Sequence, residues 1–471
     1  VRPEIFARDN AAYCINQGHF HLKVPFLFFG GDFMKSYEEI NEKILKGEAV
    51  VITAEEAVKM AKETSFKEVA KKIDVVTTGT FSPMCSSGAF MNFGHTTPPM
   101  RMEKIKINNV EVYGGLAAVD GYIGASEEST SDKTYGGAHV IEQLIRGDDV
   151  LLEAKSKGTD CYPRKDVKTI VNKNSINEFY LFNPRNAYQN YAAASNGSNR
   201  TIYTYMGKLL PNYGNVTYTT SGELSPLLKD PKLKTIGIGT RVFIGGTIGY
   251  VAWNGTQFNK NVRRNEYGIP VEPGATLAVI GNAKEMNANF IKAAYFKNYG
   301  VTIYIGIGIP IPVLDEDIAH DVCAGNEEIF TNLIDYGDDS RKVIKIVNYR
   351  ELQSGYVDVD GKRIPTSMIS SLPVARKIAN ELKSLIMKGQ FTFVQPQPLI
   401  QHDNYKKLNV RDENVDSKKY SSCMNCGMCV GYCPVNALKI IDESLEFDPK
   451  LCTNCGICKD ICPVGVKLPP L

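Results

Sequence analysis

Eight of the twelve cysteines in this 471-residue chain fall between positions 423 and 462, and their spacing is the strongest chemical signal it carries. Cys423-Met-Asn-Cys426-Gly-Met-Cys429-Val-Gly-Tyr-Cys433-Pro434 is answered by Cys452-Thr-Asn-Cys455-Gly-Ile-Cys458-Lys-Asp-Ile-Cys462-Pro463. Each run reads C-x2-C-x2-C-x3-C-P. Three thiolates spaced in this way on one loop bind three irons of a 4Fe–4S cube, the proline turns the chain away, and the fourth cysteine crosses to the other cube. The pattern assigns Cys423, Cys426, Cys429 and Cys462 to one cluster and Cys452, Cys455, Cys458 and Cys433 to the other. Zinc knuckles place pairs of cysteines across longer loops, so the doubled three-plus-one spacing favours two 4Fe–4S clusters. Such a pair passes electrons singly, and the remainder of the chain is expected to perform redox chemistry or to supply something that does.

The other four cysteines stand alone. Cys85 sits in Thr77-Thr-Gly-Thr-Phe-Ser-Pro-Met-Cys85-Ser-Ser-Gly-Ala-Phe-Met-Asn-Phe-Gly-His95, where a buried strand at Asp74–Thr78 runs into a turn rich in Gly, Ser and Thr. Backbone N–H groups there, and a helix starting at Ser86, would favour its thiolate. His95 is a candidate proton carrier or ion-pair partner. Cys161 lies on a polar loop, Lys157-Gly-Thr-Asp160-Cys161-Tyr-Pro-Arg164-Lys165, beside two cations that stabilise an anionic sulfur. Cys323, in Ile318-Ala-His-Asp-Val-Cys323-Ala, suits a buried small hydrophobe. Cys14 receives no role.

These groups must be held by a scaffold. Ser36 and Gly47 read as the caps of an amphipathic helix opening after Met34. Further expectations are a strand at Val50–Thr53, a helix at Ala54–Lys72, a hairpin at Lys104–Tyr113 turning on Asn108-Asn109, a helix at Gly137–Arg146 and a strand at 149–155. Beyond these come strands at Thr235–Gly239 and Thr276–Ile280, a helix at Asn287–Tyr299 running into a strand at Val301–Gly306, a hairpin at Tyr356–Thr366 turning on Asp360-Gly361, and a helix at Ser371–Met387. The alternation predicts an α/β or α+β catalytic domain over 34–394, in one lobe or two. Residues 395–421, opening with Gln395-Pro-Gln-Pro, read as a partly stiff linker. Residues 422–471 read as a small α+β dicluster ferredoxin domain of bacterial type, with strands at Ala437–Ile441 and Leu445–Phe447. Residues 1–33 lack periodicity and read as a disordered extension or start-site artefact, with Met34 as the natural start.

The charges nearly balance, 54 basic against 52 acidic residues, so no surplus points to nucleic acid or an anionic membrane. No apolar run reaches the length of a membrane span. The apolar stretch Val24-Pro-Phe-Leu-Phe-Phe29 is too short for the core of a signal peptide. A cytoplasmic protein is expected. The glycine runs 114–115, 237–239 and 245–246 do not form the G-x-G-x-x-G fingerprint between strand and helix, and neither flavin nor nicotinamide is expected.

The segments TTGTFSPMCSSGAFMNFGH, YGGLAAVDGYIGA, GTDCYPRKD, LFNPRNAYQNYAAASN, RTIYTYMG and TIGIGTRVFIGGTIGYV resemble the homocysteine biosynthesis family of anaerobic archaea and bacteria, across about residues 34–390. The resemblance implies that L-aspartate semialdehyde, a sulfide or persulfide donor and two electrons yield L-homocysteine. It implies catalytic roles for Cys85 and Cys161, one carrying sulfur or attacking as thiolate and the other resolving it by thiol–disulfide exchange, with Cys161 the more essential. The clusters would pass on electrons from a separate low-potential donor. An amino-acid substrate needs a carboxylate clamp, for which Arg164, Arg185 and Arg241 are candidates, and an acid for its ammonium, for which Asp120 and Asp160 are candidates. Two alternatives remain at this level: a sulfur- or disulfide-reducing iron–sulfur oxidoreductase, and a non-enzymatic sulfur-relay or electron-carrier protein. The sequence leaves the oligomeric state open.

Overall fold

A computed structural model describes residues 34–186, 189–399 and 423–466. The expected extension at 1–33, with Cys14, and positions 400–421 of the expected linker lie outside the described residues. The chain divides into two compact units, residues 1–405 and 406–471.

In the first unit α1 (Tyr37–Lys46) carries a full capping box between Ser36 and Glu39 and ends on Gly47 in the left-handed region. The strand β1 (Val51–Thr53) leads into α2 (Ala54–Glu63) and α3 (Phe66–Lys72). The single helix expected over 54–72 is broken because the Ser65 side chain caps a new one at the Glu68 N–H. There follow β2 (Val75–Thr77), β3 (Thr80–Pro83), β4 (Gly88–Asn92), β5 (Lys104–Ile107), β6 (Val110–Tyr113), β7 (Asp120–Gly124), α4 (Gly137–Arg146), β8 (Val150–Lys155), β9 (Asp166–Val171) and β10 (Glu178–Asn186). The chain continues through β11 (Ala193–Ser195), β12 (Ile202–Thr204), β13 (Gly207–Leu209), β14 (Val216–Tyr218), α5 (Pro226–Lys229), β15 (Arg241–Ile244), β16 (Thr247–Asn254), β17 (Leu277–Asn282), β18 (Ile291–Phe296), β19 (Gly300–Gly308) and β20 (Ile311–Pro312). It closes with α6 (Glu316–Val322), β21 (Phe330–Asp335), β22 (Val343–Asn348), α7 (Tyr349–Gln353), β23 (Tyr356–Val359), β24 (Lys362–Met368) and α8 (Leu372–Met387).

Thirteen strands make one antiparallel sheet in the order β18-β19-β15-β16-β17-β10-β4-β7-β6-β5-β8-β9, with β3 added on β19. The buried face of α4, including Ala138, Val140, Ile141, Leu144 and Ile145, fills the main core against it. A second, mixed sheet runs β22-β21-β11-β14-β24-β23 and has its own core around Tyr349, Leu333 and Val216. The large unit is therefore mixed α/β, with antiparallel pairing dominant.

Two expected elements differ. Residues 287–299 form a short 3-10 turn and then β18, because pairing with β19 from Ile291↔Ile305 to Phe296↔Gly300 outweighs the helical spacing of their apolar residues. Thr235–Gly239 makes no ladder; Ile238 forms one isolated bridge to Gln397. That bridge ties the first part of the expected linker to the large unit.

Gly79 joins β2 to β3 just ahead of Cys85. A Cβ there would stand 2.2 Å from the Ala375 carbonyl oxygen in the first turn of α8. A Gly79→Ala substitution must push that helix outward and is expected to lower the unfolding free energy by about 2 kcal/mol. Chemical denaturation followed by circular dichroism measures it; an unchanged midpoint would show that α8 yields freely.

The second unit is a hairpin, β25 (Leu438–Ile441) and β26 (Ser444–Phe447), with two short helices, α9 (Met428–Gly431) and α10 (Ile457–Ile461). Both helices start from a left-handed glycine, Gly427 at φ 73° and Gly456 at φ 80°. Both cysteine runs turn through a left-handed asparagine, Asn425 and Asn454, so the duplication in sequence is a duplication in backbone.

Candidate functional site

The large unit encloses a cavity of about 410 Å³. It lies where the end of β3, β10, β17, β18 and β19 of the large sheet meet the β12–β13 turn and the chain following β14 and β24 of the second. Its lining is mostly apolar and hydroxylic. Cys85 is the one cysteine and Arg185 the one charged side chain among the described residues that line it.

Cys85 is half-buried on the turn between β3 and β4. No helix begins at Ser86; the chain continues into β4, so the expected helix-dipole assistance to the thiol is absent. Its polar neighbour is instead the Tyr299 hydroxyl, 4.0 Å from Sγ. Burial, and then the adjacent thiol, push the Tyr299 hydroxyl well above the usual phenol range, so it stays a proton donor. Arg185 comes from the far end of β10, where its own N–H bonds the Asn183 side chain and fixes the backbone. Its guanidinium has no hydrogen-bond or ion-pair partner among the described residues. Tyr191 donates to the Tyr205 hydroxyl at 2.9 Å, and the Tyr205 and Tyr336 hydroxyls are 2.9 Å apart, which stiffens the rim.

Cys161 lies elsewhere. It is exposed on the β8–β9 loop. The loop is held to the chain after β4 by the Arg164 N–H on the Pro99 carbonyl, by the Arg164 guanidinium on the Thr97 carbonyl and by stacking of Tyr162 on His95, while the same guanidinium also donates to the Asp166 carbonyl at the start of β9. Register fixes which end of the sheet this is. Lys155 pairs with Lys104, Lys104 with Tyr113 and Tyr113 with Tyr122, and β7 begins at Asp120 opposite Asn92. Cys161 and His95 therefore lie beyond the Asn92 end of β4, and Cys85 precedes its Gly88 end. That strand alone spans about 13 Å, whereas a disulfide needs Cα atoms within about 7 Å. Direct exchange between the two thiols of one chain, expected from the sequence, would have to span the length of that strand. Oxidation of the full chain is expected to yield no intrachain Cys85–Cys161 crosslink on peptide mass spectrometry, and such a peptide from monomer would contradict this geometry.

The other candidates separate as well. Asp120 accepts the Asn92 amide at 2.5 Å and, like exposed Asp160, is absent from the cavity lining. No carboxylate lines the cavity among the described residues, so neither meets an ammonium there. Arg241 is engaged with the carbonyl and hydroxyl of Thr392 and lies over the Phe391 ring, anchoring the chain after α8. Arg164, engaged with carbonyls, leaves Arg185 as the guanidinium open to a ligand. Cys323 packs against the core, and burial pushes its thiol up to about 11.

Sequence reasoning missed Tyr299, Tyr205 and Thr302. Tyr205 lies in RTIYTYMG and had a signal; Tyr299 was obscured by the helical reading of 287–299, and Thr302 fell in the strand expected at Val301–Gly306, where nothing local marks it as a cavity residue.

In the second unit a small hollow is lined by Cys433, Cys452, Cys455 and Cys458 together. Thus the fourth cysteine of the first run stands with three of the second. The Cys433 thiol accepts the Ala437 N–H at 3.2 Å, and those of Cys423 and Cys452 accept the N–H of Asn425 and Asn454 at 3.4 Å. Backbone N–H groups of Val466, Val464 and Gly465 hold the Cys462 thiol below its ordinary range. These thiols do not converge, three or more, on one point among the described residues. The fit to iron–sulfur rests on the soft donor set, the N–H···S pattern and the shared hollow.

The model of a family described as homocysteine biosynthesis enzyme, sulfur-incorporation, matches residues 49–393, and that of a 4Fe-4S dicluster domain matches 422–466. An L-aspartate semialdehyde sulfurtransferase of Methanosarcina acetivorans is 51% identical over 365 residues, 77% of this chain and 71% of its own. One of Methanocaldococcus jannaschii is 50% identical over 380 residues, 77% of this chain and 72% of its own. An uncharacterised protein of Methanothermobacter thermautotrophicus is 27% identical over 329 residues, 68% of this chain and 72% of its own. No solved structure matches. No described helix is long and apolar enough to cross a membrane.

Proposed function

The chain belongs to the homocysteine biosynthesis, sulfur-incorporation family, fused to a 4Fe-4S dicluster domain, and on that footing we propose that it is an L-aspartate semialdehyde sulfurtransferase that inserts sulfur reductively. The aldehyde, hydrogen sulfide, two electrons and two protons give homocysteine and water. The carrying observation is the cavity that, among the described residues, holds one thiol, Cys85, and one guanidinium without a partner, Arg185, in a lining otherwise neutral. Its volume suits a four-carbon amino-acid aldehyde.

In this reading Arg185 takes the substrate carboxylate by its two-pronged geometry. The ammonium is received by neutral acceptors, such as the hydroxyls of Thr219 and Ser225. The aldehyde carbon then faces Cys85. Cys161, exposed and remote, takes the outer sulfur of a persulfide donor, which leaves as a thiol, and two further electrons from the low-potential donor release that sulfur as hydrogen sulfide. Cys423, Cys426, Cys429 and Cys462 hold one cluster, and Cys433, Cys452, Cys455 and Cys458 the other. Two bound clusters supply the two electrons one at a time. A separate low-potential donor recharges them.

Full chain purified without oxygen, given L-aspartate semialdehyde, sulfide and a low-potential reductant, is expected to form homocysteine with two electrons consumed per product. Reductant consumed by a disulfide substrate, with no homocysteine from the aldehyde, would overturn the reading in favour of disulfide reduction.

A further inference from the structure

We propose that Tyr299 is a catalytic residue of this site: with Thr302, its hydroxyl donates to the anion formed at Cys85 and at the aldehyde oxygen. The inference rests on the cavity being the sulfur-insertion site. It is carried by the contact of the Tyr299 hydroxyl, from the turn between β18 and β19, with Cys85, and by two features of β19 that bring Thr302 to the same point.

The first is register. Tyr304 pairs with Pro83 and Ile305 with Ser82, and the Met84 N–H donates to the Ile303 carbonyl at 2.7 Å. The next step of the same ladder sets Cys85 opposite Thr302. The second is an unmet hydrogen bond. The Thr302 side chain is 1% exposed, lines the cavity, and its Oγ1 has no partner among the described residues. Leaving such a buried hydroxyl unpaired is unfavourable. A ligand oxygen or sulfur in the cavity would satisfy it. Tyr299, one turn earlier at the mouth, already places its hydroxyl against the thiol and is 39% exposed, open to solvent for proton return.

The step balances. Hydrosulfide adds to the aldehyde carbon, forming a C–S bond. The C=O π pair moves to oxygen, and that oxygen takes the Tyr299 proton, which water replaces. Loss of that hydroxyl together with the proton of the new S–H, as water, leaves a thioaldehyde that two electrons and two protons reduce to the thiol. Before substrate arrives, the same O–H stabilises the Cys85 thiolate. Among the described residues, the other ionisable groups lining the cavity are Arg185, which also favours an anion, and Tyr191 and Tyr205, which are engaged with one another.

Two readouts on the full chain test this. Iodoacetamide alkylation of Cys85 against pH, read by peptide mass spectrometry, needs no substrate. Tyr299→Phe should move its midpoint upward and slow alkylation at neutral pH about tenfold. In turnover the same variant should lose about 100-fold in kcat with little change in KM. Thr302→Val should lose kcat likewise, and Thr302→Ser should restore it. An alkylation profile identical to wild type, or an unchanged kcat in Tyr299→Phe, overturns the proposal. A shifted alkylation profile with no homocysteine from wild type would sustain the Tyr299–Cys85 link and remove the sulfurtransferase reading instead.

Discussion

A Cys455→Ala variant is expected to lose about half of the bound iron and at least about 100-fold of homocysteine formation. Cys455 is one of four thiols around a single hollow, and the other three come from both cysteine runs. Removing it leaves a cube with an iron that alanine cannot ligate. Because Cys433 stands with Cys452, Cys455 and Cys458, loss of Cys455 should leave Cys423, Cys426, Cys429 and Cys462 intact as a set, so half the iron remains. Turnover nevertheless needs two electrons and the surviving cluster carries one. Iron analysis and electron paramagnetic resonance read the cluster loss independently of activity. Full turnover with half the iron would show that one cluster suffices; loss of all the iron would show that the two sites assemble as one.

Arg185→Met should raise KM for L-aspartate semialdehyde about 100-fold and change kcat by only a few-fold. The methionine keeps the length and apolar contacts of the arginine and removes the single charge lining the cavity. A substrate carboxylate entering that cavity would then lose its hydration without a partner. Arg185→Lys should recover only part of the affinity, because an ammonium is a point charge and cannot present the paired donors of a guanidinium. An unchanged KM in Arg185→Met would remove the carboxylate from this cavity.

What could be read from the sequence was local. The cluster cysteines announce themselves because every spacing in the motif is short. Ser36 and Gly47 cap α1 as their residue types dictate, and the hairpin turn at Asn108-Asn109 is legible because asparagine tolerates the left-handed φ values of 48° and 64° found there. The cavity was not legible because its lining is gathered from segments between Thr80 and Ile369, and no periodicity reports which ones meet. Arg241 and Arg185 look alike as sequence candidates. Pairing decides between them, since one guanidinium is occupied by Thr392 and the other is left open. Cys85 and Cys161 look like a pair in sequence, and a single strand, β4, separates them. The helical spacing of residues 287–299 hid Tyr299, because strand pairing is a non-local interaction that a window of residues does not contain.

The central claim is thiol-dependent insertion of sulfur into an aldehyde. It is tested most directly by homocysteine formation from L-aspartate semialdehyde, sulfide and a low-potential reductant, measured without oxygen in wild type, Cys85→Ala and Cys161→Ala. The predicted result is product from wild type, loss of product in Cys85→Ala, and loss in Cys161→Ala only when a persulfide donor replaces free sulfide. Full homocysteine formation in Cys85→Ala would contradict the account.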